Sequence, residues 1–252
     1  NDTHSDVFIH LGNHDDGSGR GTDKNCPLDG FIKLEEYKEI YRTKQLLNGE
    51  NRNNGSLYYY KDYPEKKIRL IGLYTEDITE TITNKQGFLK YTRWLTHTIQ
   101  QEQMDWLMNV ALKNVPVDYH TVVIGHCPLY HGWTDNGSKQ INHEFLKNVL
   151  LAFQRGTSFI GTSGEVDFPL SINCDFTTQG PRKFVGFFSG HTHQEMIDDW
   201  DGIKNVSCLH SIDIANSLNA NTIKEDAHTI ISIDTKASRV NLIGYGRATN
   251  RS

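Results

Sequence analysis

The sequence predicts a layered α/β domain with a mixed sheet. Three observations predict it. Strand-like and helix-like stretches alternate through the first two thirds, strand-like stretches alone fill the last third, and no repeat or low-complexity linker divides the 252 residues. One domain over residues 1–252 is therefore expected.

The elements follow in order. Residues 6–12 form a short apolar run ending in Gly12, which predicts a buried strand, and a polar, Gly-rich loop follows over 15–30. Apolar or aromatic residues at 34, 37, 40, 41 and 47 predict a helix over 34–47. Two strands, 58–60 and 68–74, flank a turn at 62–67. The spacing of Met104, Leu107, Met108, Ala111 and Leu112 predicts a helix over 100–113. A buried strand at 122–125 and a helix over 145–153 come next, then a long loop over 156–180 that reads as a lid. Strands are predicted at 184–189, 196–200, 206–209, 229–233 and 240–245, with Asp201-Gly202 turning between two of them.

Composition narrows the function classes. A hydrophobic content of 37% with 10% aromatics sustains a core. No apolar run approaches the roughly 18 to 20 residues of a membrane span, and no basic-then-apolar opening reads as a signal peptide. A soluble chain without a membrane partner is expected, with the compartment open between cytoplasmic and secreted or virion-associated. Asn1 in place of Met is read as a processed or engineered boundary. A net charge of −5 argues against bulk binding of nucleic acid, which is expected only as a substrate. Cys26, Cys127, Cys174 and Cys208 include no CxxC pair and read as free thiols.

Three signals share one form: an apolar strand, a glycine, then a metal-ligand residue. They are Gly12-Asn13-His14-Asp15, Gly125-His126-Cys127-Pro128 and Gly190-His191-Thr192-His193. Glycine allows a sharp turn at a strand end, and the next side chain projects from the sheet's carboxyl edge, where open α/β sheets bind ligands. Asn13, His126, His191 and His193 could thus meet at one point. Imidazoles suit Zn, Fe and Ni, and an amide oxygen widens the choice toward Mn and Mg. Two such ions about 4 Å apart clamp a phosphoryl oxygen for in-line attack. Each signal alone has a plainer reading, as a chance Gly-His, strand alternation or a turn; their conjunction in order favours one metal site.

GNHD, then GH followed by proline, then GHTH resembles the last three sequence blocks of the calcineurin-like metallophosphoesterase superfamily. Residues 101–107 resemble the helix that precedes the middle block, and 231–246 resemble the closing strand pair of bacterial and phage members. The resemblance implies an α/β/β/α sandwich with mixed sheets, two divalent ions (Mn, Fe or Zn) and a phosphomonoester or phosphodiester substrate. It implies Asn13, His126 and His191 as ligands of the second metal and His193 as a ligand of the first. It also implies His14 as the group that protonates the leaving oxygen or stabilises the pentacovalent phosphorus, and Asp15 as a residue steadying His14 or its loop.

The family's opening blocks, Asp-x-His and Gly-Asp, are missing ahead of Asn13. Asp2-Thr3-His4 does not serve as the first, because eight residues lie between His4 and Asn13 where a βαβ unit takes about 30. An N-terminally truncated domain lacking its first βαβ portion is expected, binding one ion or none and hydrolysing esters weakly or not at all. The exposed sheet edge would then favour self-association. A rival reading is an inactive phosphoesterase fold kept as a structural or binding module, as in a phage tail or surface protein. A zinc-binding nucleic-acid module fits neither the charge nor the cysteines.

Around the site, His131, Tyr130 and Trp133 are candidates for a substrate wall, and Arg20, Lys24 and Lys61 for phosphate contacts. His97, His120, His143, His210 and His228 read as surface or satisfied core residues, and Cys127 as packing.

Overall fold

Adjacent apolar residues on the middle strands set the layers. In β4 (His120–Ile124), Val122 and Val123 point to opposite faces of the sheet, as do Phe187 and Phe188 in β8 (Lys183–Ser189). Val123 and Phe187 pack with Leu107 and Met108, and with Leu146, Val149 and Phe153 of α3 (His143–Arg155). Val122 and Phe188 pack instead under Leu242, Ile231 and Val240 of a two-stranded hairpin, β11 (Ala227–Asp234) and β12 (Arg239–Gly246). The computed structural model describes residues 5–19, 25–129, 139–211 and 219–252.

The central sheet also contains β1 (Tyr59–Tyr63), β2 (Ile68–Gly72), β9 (Met196–Trp200) and β10 (Ile203–Ser207), in the order β1-β2-β4-β8-β10-β9. Strands β2, β4, β8 and β10 run parallel, and the hairpin partners β1 and β9 close the two ends antiparallel. The sheet is mixed, as the sequence predicts. Among the described residues the layers number three: helices, sheet and hairpin. The outer helical layer of an α/β/β/α sandwich has no counterpart there, and Ile230, Ile243 and Tyr245 on the hairpin are exposed.

Several elements differ from the sequence reading. Residues 6–12 join no sheet, and the half-buried residues of the segment are Asp6, Phe8 and His10 rather than Val7 and Ile9. Asp6 reaches Tyr63, Phe8 stacks on Tyr59 and His10 meets Tyr59 and Leu73, whereas Val7 and Ile9 are 71% and 53% exposed. The helix over 34–47 stops early: α1 (Leu34–Ile40) is followed by left-handed Arg42 and a short 3₁₀ turn at Thr43–Gln45. The helix over 100–113 begins as α2 (Gln101–Trp106) and widens to a π turn at Leu107–Ala111.

The lid expected over 156–180 is a hairpin of β6 (Ser158–Thr162) and β7 (Ser171–Asp175). Ile172 and Cys174 are buried in the core that α3 also lines. Two short strands, β3 (Thr96–Thr98) and β5 (Lys139–Ile141), pair in parallel. Their three-residue length gives periodicity nothing to detect. No helix among the described residues is long and apolar enough to cross a membrane.

Candidate metal centre

Because β2, β4, β8 and β10 are mutually parallel, their carboxyl ends share one edge. Residues just past those ends include Glu76, His126 with Cys127, His191 and His210. Backbone bonds carry the ladder into these loops: Leu73 N–H donates to Ile124 O (2.8 Å), Gly125 to Phe188 O (3.0 Å) and Gly190 to His126 O (3.0 Å).

Three of the four expected ligands come together. Asn13 Oδ1 lies 2.9 Å from His126 Nε2, and His191 Nδ1 lies 3.3 Å from that same nitrogen. The Asn13 amide nitrogen donates to Trp94 O (3.4 Å), leaving its oxygen toward His126. Asn13 and His191 are buried. His193 is exposed, and its ring meets His210 edge-on at 4.0 Å between centroids. His191 and His193 both hold left-handed backbone angles, φ 65° and 58°, a conformation uncommon outside glycine and concentrated at functional sites. His14 is exposed, edge-on to Trp94 at 4.0 Å, and Asp15 accepts the Gly12 N–H at 2.8 Å.

The sequence reading misses three participants. His97 is fully buried rather than a satisfied core residue, and neither ring nitrogen has a hydrogen-bond partner. Its ring packs edge-on to His191 at 4.6 Å, and its Nδ1 is 3.8 Å from the buried Glu76 carboxylate. Cys127 is fully buried, and its sulfur lies within 4.8 Å of donor atoms of both His97 and His191. Glu76, His126 and Cys127 form a second such group. The one available signal was position: Glu76 and Cys127 stand at strand ends like the residues singled out, whereas His97 lies on a strand too short to recognise.

Burial sets the charge states. Desolvation first, and then neighbouring histidines with His191 foremost, together lower His126 to about 3 and His97 to about 2. Both imidazoles are neutral at neutral pH, with lone pairs suited to a cation. Burial raises Glu76 to about 8, against the opposing pull of hydrogen bonds from Cys127 and Thr75. For a divalent ion with ligands at about 2.1 Å, neighbouring donors lie about 3.0–3.4 Å apart. The separations around His126 Nε2 fit such an ion.

Other expected contacts fall elsewhere. Lys61 binds Asp6 at 2.8 Å and the Asn48 carbonyl, beside the β1–β2 hairpin. His120 sits beside Lys183, His143 meets the Pro128 carbonyl and His228 pairs with Asp226. Asp2, His4, Arg20, Lys24, Tyr130, His131 and Trp133 lie outside the described residues.

No known family model matches the chain, and no curated protein does. Among solved structures, a dimetal phosphatase from Danio rerio is similar over 84% of this chain and 68% of its own, at 14% identity and a TM-score of 0.46. At that identity and TM-score the likeness fixes neither fold, family nor chemistry.

Proposed function

We propose that the chain is a metal-dependent hydrolase of phosphate esters, with Asn13, His126 and His191 holding a divalent ion. The supporting observation is that side chains from three distant loops meet, with Asn13 Oδ1 2.9 Å and His191 Nδ1 3.3 Å from His126 Nε2. When bound, the metal would act as a Lewis acid that neutralises charge on a phosphoryl oxygen.

The chain's own groups supply the rest. His126 stays unprotonated because burial keeps its pKa near 3, so its lone pair remains available at working pH. His14 stands exposed at the mouth of the site against Trp94, where it can hand a proton to a leaving alkoxide. Asp15 holds the turn that carries both Asn13 and His14 through the Gly12 amide. His193, on the rim with His210, is the remaining candidate ligand, for a first metal.

The test measures metal content and aryl-phosphate hydrolysis with Mn added. His14→Ala should lower turnover about 10²- to 10⁴-fold with metal content unchanged. Asn13→Ala should lower Mn affinity and turnover together. Hydrolysis absent at every Mn concentration would overturn the reading in favour of a binding or structural module.

A further inference from the structure

We propose a second, buried metal site, a zinc-type site of His97, Cys127 and His191 closed by the Glu76 carboxylate. It goes beyond the phosphoesterase reading and shares only His191 with it. His97, Cys127 and His191 are all buried, and each offers a ligand atom within 4.8 Å of the others. Tetrahedral zinc with one sulfur and nitrogen donors needs separations of roughly 3.4–3.7 Å. The three donors would have to approach by about an ångström, and Glu76, 3.8 Å from His97 Nδ1 and grouped with Cys127, is the nearest carboxylate for the fourth position.

Two further observations point to a ligand. His97 is completely enclosed with neither ring nitrogen hydrogen-bonded, which native interiors avoid unless something else occupies the donor. The surrounding backbone also fixes the donors in place. Glu76 bridges Thr98 in parallel, Thr98 N–H donates to Thr75 O (2.9 Å) and Cys127 N–H donates to Thr75 Oγ1 (2.9 Å). Thr75 Oγ1 in turn donates to the Glu76 carboxylate at 3.0 Å, orienting it. These contacts hold His97, Cys127 and Glu76 together whether or not Asn13 is in position. With its Nδ1 turned to His126, His191 would use Nε2 for the buried group; a neutral imidazole has one lone pair, so filling both sites at once would require His191 to release its ring proton to solvent and bridge as an imidazolate.

The donor chemistry selects the metal. A thiolate with imidazoles favours zinc, or cobalt as its spectroscopic substitute, over the Mn and Mg suited to oxygen-rich shells. Binding ionises the thiol and releases its proton to solvent.

Cobalt(II) titration of the metal-free 252-residue chain provides the test. The ion that fills this site should bring an intense near-ultraviolet thiolate-to-cobalt band that saturates at one equivalent per chain, and zinc should bleach it stoichiometrically. Cys127→Ser should erase the band, and His97→Gln should weaken cobalt binding about tenfold or more. Circular dichroism checks that both variants fold, and the unsubstituted chain's spectrum is decisive even if they do not. Asn13→Ala should lower any hydrolysis but leave the band, so failure of the phosphoesterase reading and failure of this site are distinguishable. No cobalt uptake, uptake without a thiolate band, or a band that persists in Cys127→Ser would overturn the proposal.

Discussion

Two of the three glycine-led loops grow out of the sheet, and the third does not. Those bearing His126 and His191 continue β4 and β8, with Gly125 still bonded to Phe188 of β8 and Gly190 to His126 just past β4. The loop bearing Asn13 follows an extended segment that belongs to no sheet and is held by side chains. Arg93 binds Asp16 at 2.8 Å with both groups fully enclosed, Ser18 accepts the Arg93 N–H, and Trp94 O receives the Asn13 amide. A ladder distributes its restraint over many backbone bonds, whereas the Asn13 loop depends on a few specific pairs. The same sequence form therefore yields arms of unequal robustness, and the weaker one carries the oxygen ligand.

The sharpest way to break this difference is Arg93→Ala. It leaves the Asp16 carboxylate buried without its partner, and breaking a buried pair this way costs about 3–5 kcal/mol. The urea midpoint should fall, and amide exchange should accelerate at residues 12–18 far more than in β4 and β8. Equal acceleration in both regions would mean that the two arms are one cooperative unit.

A gentler probe is acid. His10 lies under Tyr59 and Leu73, and burial lowers its pKa to about 4. A folded value below the ordinary 6.5 or so means that the unfolded chain binds the proton first. His10 therefore contributes its full stability above about pH 6.5, and this is lost progressively as pH falls through 4. Exchange of the Gly12 amide should rise over that window. His10→Gln, which has no proton to gain, should flatten the response; an unchanged profile would move the cause to another group.

The contrast also explains what the sequence made legible. The central strands were readable because Val122-Val123 and Phe187-Phe188 fill both faces, leaving an apolar run bounded by glycine. The convergence of Asn13, His126 and His191 was readable through three like motifs. The segment over 6–12 was misread because Val7 and Ile9 suggest a buried strand, while the contacts that hold it use Asp6, Phe8 and His10. The hairpin over 158–175 was legible in principle, since Ile172 and Cys174 alternate with polar residues in β7. His97 was not. Its setting depends on a three-residue strand beside Glu76 and on rings arriving from two other strand ends, none of which leaves a mark near residue 97.

The smallest expected effect is the most selective. A Cβ on Gly12 would stand 3.0 Å from Cε1 and 3.1 Å from Nδ1 of His126, so the ring must yield by a few tenths of an ångström. A Cβ on Gly190 would meet nothing within 4 Å. Gly12→Ala should therefore change folding stability by less than about 1 kcal/mol and weaken Mn binding about tenfold. Gly190→Ala should leave both unchanged. Titrating each variant with Mn, beside its denaturation curve, separates the cases. If Gly12→Ala binds Mn as well as the parent, the close approach of the two loops is not what sets the ligand geometry. If both variants weaken binding equally, the strand-borne arm is no more secure than the one held by side chains.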